Sequence, residues 1–434
     1  MITTIDIPQG WQKIRLKRIA SLNPPKSEVT NFPDDTAVTF LPMEAVSESW
    51  VVDYSRTRPL AEVCNGYTYF RDGDILIAKI TPCFENGKGA LVNGCLNGFG
   101  FGTTEFHVIR SPNSETARFL SYVVRSYRFK VEGAGMMTGT AGQKRLSDDY
   151  VKDFEVFLPS LLEREKIAHF LDRKTAAIDT LIAKKQHLIQ LLEEKRTALI
   201  NEAVTKGMNP NVPMKDSGIP WIGEIPEHWS VSKPKFLTKR IVDGTHHTPS
   251  YVERGIPFLT VKNLTAGEGI SFEDVKYVTA EAHSELSKRA KPEIGDLLVT
   301  KDGTLGVTRV IEDERAFSIF VSLALIKPFH SEINSYFFKY VLESKTVFDQ
   351  FQARKLGSAL QHIHLVELSN IFIPLPPIKE QGEMAAEIKA KIDHCQKIEE
   401  RVFSQIEKLQ EYRRSLITAA VTGKLDISEV EPDV

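Results

Sequence analysis

Between residues 160 and 206, apolar side chains fall at Ile167, Leu171, Ile178, Leu181, Leu188, Leu192 and Leu199, in steps of three, four and seven. A second stretch, 378 to 422, repeats the pattern with Met384, Ile388, Ile392, Cys395, Val402, Leu409 and Leu416. Such spacing predicts a coiled-coil seam along a long helix. Gly382 is the only Gly or Pro within either stretch, while Pro159 and Pro377 mark the starts and Gly207 and Gly423 the stops. At 1.5 Å per residue, about 45 residues span roughly 70 Å. The nearest partner for each seam is the other one. Antiparallel pairing follows if the two halves are related by a twofold axis, with one globular domain at each end of a rigid rod. The charges of Lys184-Lys185 and Glu193-Glu194-Lys195-Arg196 then form a solvated face.

Residues 12 to 158 and 230 to 374 have a different texture. Short apolar runs such as Ile75-Leu76-Ile77-Ala78 and Leu297-Leu298-Val299 stand between Gly and Pro turn signals, predicting mixed domains of short strands and a few helices. Strings recur at a nearly constant offset. Ile7-Pro8-Gln9-Gly10-Trp11 returns as Ile225-Pro226-Glu227-His228-Trp229, and Gly73-Asp74-Ile75-Leu76 as Gly295-Asp296-Leu297-Leu298. Leu158-Pro159-Ser160-Leu161 returns as Leu375-Pro376-Pro377-Ile378, and Ala203-Val204-Thr205 as Ala420-Val421-Thr422. The chain is therefore an internal duplication, which favours a pseudo-twofold arrangement. The expected fold class is α+β, with two mixed α/β domains separated by two long helices that form an antiparallel coiled coil. The Pro-, Gly- and Asn-rich stretch from Met208 to Gly218 reads as a linker.

Composition narrows the class. The 434 residues are 42% apolar and 26% charged, with a formal net charge of -2. That excludes a disordered chain and lacks the basic excess of many nucleic-acid binders, so any DNA contact needs positive charge segregated on one face. No window approaches a membrane span and no leader pattern opens the sequence, which predicts a cytoplasmic protein. Four scattered cysteines without a C-x-x-C pair argue against disulfides or structural zinc. Phosphate-loop, zinc-helix and nucleophile-elbow motifs are absent. Asn23-Pro24-Pro25-Lys26 approaches the Asn-Pro-Pro-aromatic motif of adenine methyltransferases, but Lys26 cannot stack on a flipped base. His246-His247 and His362-Ile363-His364 bring no carboxylate at ligand spacing, so no metal is expected.

What remains is a binding surface built from loops rich in glycine and hydrogen-bond donors. In the first domain the candidate DNA contacts are Lys79, Thr81, Asn86, Lys88, Thr103, Thr104, Gln143, Lys144 and Arg145. In the second they are Thr245, His246, His247, Thr248, Lys262, Asn263, Lys301, Thr304, Arg354, Lys355 and Gln361. Gly lets backbone approach a ligand, and these side chains carry the donors that phosphates and base edges accept.

The whole chain resembles the DNA-specificity subunit of type I restriction-modification enzymes. The resemblance rests on the I-P-x-x-W openings at Trp11 and Trp229, the G-D-[IL]-L strands and the L-P-x-[LI] starts of both helices. It extends to Met214 through Gly223 and to the strings Ala78 to Lys88 and Asp243 to His246. One departure is that Leu375-Pro-Pro-Ile-Lys-Glu-Gln381 keeps the usual L-P-P-L-x-E-Q pattern while the first half ends in Arg164. The resemblance implies target-recognition domains at 1–158 and 225–374, spacer helices at 159–207 and 375–425, a linker at 208–224 and a tail at 426–434. It further implies a noncatalytic subunit that binds double-stranded DNA at a bipartite target. Its partners would be two adenine methyltransferase subunits and translocase-nuclease subunits. No cofactor is expected in this chain; S-adenosylmethionine, ATP and Mg would sit in the partners. A self-contained methyltransferase and a coiled-coil protein without a DNA role are the alternatives.

Overall fold

The computed structural model describes residues 7–140, 142–353 and 362–427. The chain forms two compact units, Met1–Gln186 with Phe403–Val434, and His187–Val402. Each long helix contributes to both: the first runs Leu161–Lys206 and the second Ile378–Val421.

In the first unit, strand Gln12–Arg15 pairs antiparallel with Glu155–Leu158 and ties the two ends of the globular part together. Inside that closure lies an antiparallel sheet in the order Ser21–Leu22, Phe106–Arg110, Ile75–Ala78, Gly89–Leu91. A second sheet runs Thr57–Pro59, Ala37–Leu41, Phe99–Gly102, Thr68–Arg71, with the middle pair parallel. Ile75 and Ile77 turn toward helix Ser114–Arg125 and the long helices, in one apolar cluster with Phe119, Ile167, Leu171, Ile178 and Leu416. Leu76 faces the other way, toward Leu41 and Phe70. Both faces of this central strand are covered, hence the unbroken apolar run.

The second unit repeats the plan. Ser230–Ser232 pairs with Ile373–Leu375, and the sheet order is Thr238–Asp243, Leu323–Pro328, Leu297–Thr300, Thr308–Val310. The second sheet has three strands, Lys276–Val278, Ile256–Leu259 and Ser318–Ile319, again with one parallel pair. Leu297 and Val299 share a cluster with Ile200, Val204, Phe337, Ile388 and Ile392.

The G-D-[IL]-L repeat has a structural cause. Gly73 and Gly295 hold φ of +88° and +84°, a region that L side chains rarely adopt. The following aspartate is buried and accepts from the backbone N–H three residues earlier, Arg71 or Glu293. Each also binds a cation on the neighbouring strand: Arg110 for Asp74, Lys327 for Asp296.

Within each unit the long helices run antiparallel. Arg413 meets Asp179 and Lys185 bonds Gln405 at 2.6 Å in the first; Ile388 and Ile392 pack with Ile200 and Val204 in the second. Of the expected seam, Ile167, Leu171, Ile178, Leu192, Ile388, Ile392, Val402 and Leu416 are buried, with Leu199 and Leu409 half-buried. Leu181 and Leu188 are exposed, a correction to the expected seam. Their neighbours Ile182, Lys185 and Ile189 are half-buried instead. The heptad falls between adjacent residues there, and the apolar pairs Leu181-Ile182 and Leu188-Ile189 hide the choice. Lys185 and Arg196, expected on the solvated face, are likewise half-buried. The connector is not plain coil either: Met214–Asp216 pairs with Glu224–Pro226, and Ile222 and Ile225 are buried.

Candidate functional site

In the first unit, the strand Ile75–Ala78 delivers Lys79 to a junction of three loops. The Lys79 N–H donates to the Glu105 carbonyl at 2.9 Å, and the Lys79 carbonyl accepts from Leu146 N–H at 2.8 Å. Thr81 donates through both N–H and Oγ1 to the Lys144 carbonyl. Arg145 bridges to Ile80 and to Thr138 and grips Glu105 with two nitrogens. That guanidinium holds the Glu105 carboxyl below its ordinary value. Lys79, Thr81, Thr103, Thr104, Gln143, Lys144 and Arg145 thus belong to one loop cluster, with Thr104, Gln143, Lys144 and Arg145 exposed. Asn86 and Lys88 lean away from it, toward Glu48 and the Met43 carbonyl.

The second unit builds the equivalent junction. Lys301 N–H donates to the Ser322 carbonyl at 2.8 Å and its carbonyl accepts from Ile363 N–H at 2.9 Å. Asp302 bridges to His362, whose ring bonds its carboxylate. Thr245 closes a small turn with His247, and His246 lies 3.4 Å from Asp243. His246, His247, Thr248 and Thr304 are exposed. Lys262 is exposed on the short helix Val261–Thr265, with no hydrogen bond to this junction among the described residues.

Lys301 and Asn263 differ from the expectation of exposed contacts. The Lys301 ammonium is buried at 2.8 Å from Asp243. Asp243 also binds Arg289. Burial alone would raise the Asp243 carboxyl, but Lys301 and Arg289 outweigh it and hold it down to about 2. Asn263 is buried and caps its own helix, accepting from Thr260 N–H and donating to the Ser271 carbonyl. Both are internal groups, because partners within the fold already engage them. Arg354, Lys355 and Gln361 lie outside the described residues.

Reading donors from the sequence missed the carboxylates that fix them, Glu105, Asp243 and Asp302. Each stands within the same loops, so a search for both signs of charge would have found them. Asn23 has a structural role: in a left-handed conformation, it accepts from Val108 N–H at 3.0 Å and donates to Asp148. Among the described residues no group of three His, Cys, Asp or Glu could hold a metal ion, and no helix is long and apolar enough to cross a membrane.

The profile of the type I restriction modification DNA specificity domain matches residues 8–191 and 250–408. The chain is 26% identical to the type I restriction enzyme EcoEI specificity subunit of Escherichia coli, over 92% of this chain and 80% of that protein. It is 24% identical to the EcoAI specificity subunit, also of Escherichia coli, over 91% and 79%. Among solved structures, a chain from a study of type I R-M assembly and conformational transition superposes with a TM-score of 0.76. That match has 19% identity and covers 97% of this chain and 100% of that one. The HsdS subunit from Thermoanaerobacter tengcongensis gives 0.55 at 18% identity, covering 98% and 99%.

Proposed function

The chain belongs to the type I restriction-modification DNA specificity family, and from that premise we propose that its two loop junctions each read one half of a split DNA target. One observation carries this reading. The same strand delivers Lys79 in one unit and Lys301 in the other to the same backbone pairings, yet the surrounding side chains differ in type and charge. A shared frame with divergent loops suits two different half-sites separated by a nonspecific spacer. Phosphate contacts would set the register on the duplex, and a few exposed side chains would read base edges in the grooves.

In this reading the chain performs no chemistry itself. It recruits two adenine methyltransferase subunits, which bring S-adenosylmethionine, and ATP- and Mg-dependent translocase-nuclease subunits join for cleavage. Its DNA target puts its place of work in the cytoplasm. The length of the two shared helices would count the spacer.

Selection of bound molecules from random duplexes by the purified complex, followed by sequencing, is expected to return a split motif. A single continuous motif, or binding indifferent to sequence and salt, would defeat the reading. Labelled methyl transfer by the isolated chain is expected to be absent; its presence would instead establish a self-contained methyltransferase. Removing one matched heptad from each long helix is expected to shorten the recovered spacer.

A further inference from the structure

The first unit carries a second concentration of cationic groups, away from the loop junction. A cleft of about 790 Å³ opens between the Glu85–Gly87 turn, helix Tyr127–Gly135 and the last turns of the second long helix. Arg125, Lys130, Arg414 and Lys424 line it, and the side chain of none of them has a hydrogen-bond or ion-pair partner among the described residues. Arg413 also lines it but is engaged by Asp179.

Arg125 is the telling group. Its guanidinium lies 4.9 Å from the ring centres of both Trp50 and Tyr122, held by stacking instead of by a carboxylate. Trp50 itself sits at φ +68°, a true outlier for a bulky side chain. Its indole N–H is fixed on the Gly87 carbonyl at 3.1 Å. Such strain persists where the surroundings over-determine it, and it clusters at ligand clamps. Lys130 reaches the same turn: its ammonium lies 2.7 Å from where a Cβ on Gly87 would stand, and Gly87 itself holds φ +81°.

Three carboxylates, Glu48, Glu85 and Glu411, share the lining, and Glu48 is engaged by Asn86. They do not neutralise the cleft. Burial, and then the neighbouring Arg413, push Arg125 down to about 10. Burial and Arg414 likewise lower Lys130. Asp179 and Asp172 act in the opposite sense on Arg125, and Glu48 on Lys130, but both cations stay below their ordinary values, and a bound anion would relieve them.

We propose that this cleft is a phosphate-binding site of the first unit, in which Arg125, Lys130, Arg414 and Lys424 grip the backbone of duplex DNA beyond the bases read by the loop junction. The inference rests on the DNA-reading function above. Arg, as a planar multi-donor cation, suits a phosphate oxygen pair, and Trp50 presets its plane. The contact carries no sequence information; it adds affinity and register.

The test uses the full chain with three probes: the duplex recovered by selection, a random duplex of equal length, and inorganic phosphate as competitor. Arg125→Gln and the more exposed pair Lys130→Gln with Arg414→Gln are compared with parent and with Lys379→Gln, a remote charge loss. Removing one cation from a phosphate is expected to flatten the slope of log affinity against log salt by about 0.9. Between about 50 and about 200 mM salt, the deficit of such a single-cation variant should therefore shrink by about threefold. Both duplexes should weaken alike, with an unchanged selected motif. An unaltered slope in both variants, a slope change no greater than that of Lys379→Gln, or a changed motif would overturn the proposal. So would inorganic phosphate binding that leaves duplex affinity untouched, which would mark the cleft as a small-anion site. Failure of the parent itself to select a sequence would instead sink the DNA-reading function, so the two failures are distinguishable.

Discussion

The two units seat the same tryptophan and the same helix start in different ways. In the second, Trp229 is 1% exposed, and its Nε1–H donates to Glu380 at 3.1 Å, with His228 on the other carboxylate oxygen. In the first, Trp11 is only half-buried, and the equivalent Glu163 bonds Ser160 N–H and Oγ instead. One residue decides this. Ser160 can accept a capping box, whereas Pro377 has no N–H, so Glu380 is left free to hold the tryptophan. The next position diverges with the same logic. Gln381 is fully buried, donates to the Glu332 and Pro376 carbonyls and accepts from Asn334 N–H. Arg164 reaches the equivalent Pro159 carbonyl and Thr116 Oγ1. The departure from the family pattern keeps its job with a different side chain. At this one position the frame keeps an interaction and not a residue type, while at the tryptophan it keeps the residue type and not the interaction.

The largest expected break between the units is at the tryptophans. Trp229→Ala removes a fully buried ring and should cost about 4 kcal/mol, and Trp11→Ala, half-buried, about half that. Denaturant unfolding of the two variants checks the contrast, and equal losses would erase it. Next come the buried aspartates. Asp74 holds Arg110 through both oxygens at 2.8 and 2.7 Å, whereas Asp296 holds Lys327 through one at 2.6 Å. Glu28 and Glu293 remain as second partners of these cations. Asp74→Ala is therefore expected to cost about 3 kcal/mol, below the top of the range for a broken buried pair, and Asp296→Ala clearly less. The reverse order in thermal melts would refute the bidentate argument.

Acid should also separate two buried carboxylates within the second unit. With its folded pKa held near 2 against an ordinary 3.8, Asp243 contributes stability that is present above the ordinary value. That contribution is lost as pH falls from about 4 toward about 2. Asp296 runs the other way: burial raises its carboxyl despite Lys327. Its ionised form is thus a net burden once pH exceeds its folded pKa. Asp243→Asn is expected to flatten the acid limb of an unfolding-versus-pH curve, and an unchanged limb would show that Lys301 and Arg289 do not hold it.

These contrasts also show which parts of the molecule the sequence exposes. Heptads, Gly stops and the twice-written Gly-Asp turn depend on local spacing, so the duplication and both long helices are readable without coordinates. The seam register near Leu181 is not, because Ile182 and Ile189 beside the leucines satisfy a helix stripe equally well. At the loop junctions, residue type finds donors but not their exposure. Lys79 and Lys301 look alike in sequence, and only Asp243, brought 58 positions across the chain, buries one of them. The Trp50–Arg125 stack joins residues from separate elements at an unusual backbone angle, and no local motif announces it.

The smallest predicted effect probes the helix starts. Glu163→Ala deletes a capping box and should cost about 1 kcal/mol, since Ser160 remains exposed to water. Glu380→Ala leaves the buried Trp229 N–H without its acceptor, and should cost about 2 kcal/mol. Pro377→Ser then sets the two roles against each other. It offers Glu380 the same serine that Glu163 uses, but any carboxylate turned to that cap abandons Trp229. The gain and the loss are of similar size, so stability should move by less than about 1 kcal/mol, while tryptophan fluorescence reports a changed indole environment. A clear stabilisation with unchanged fluorescence would mean that Glu380 can serve both partners at once, and that the proline is not what divides the two units here.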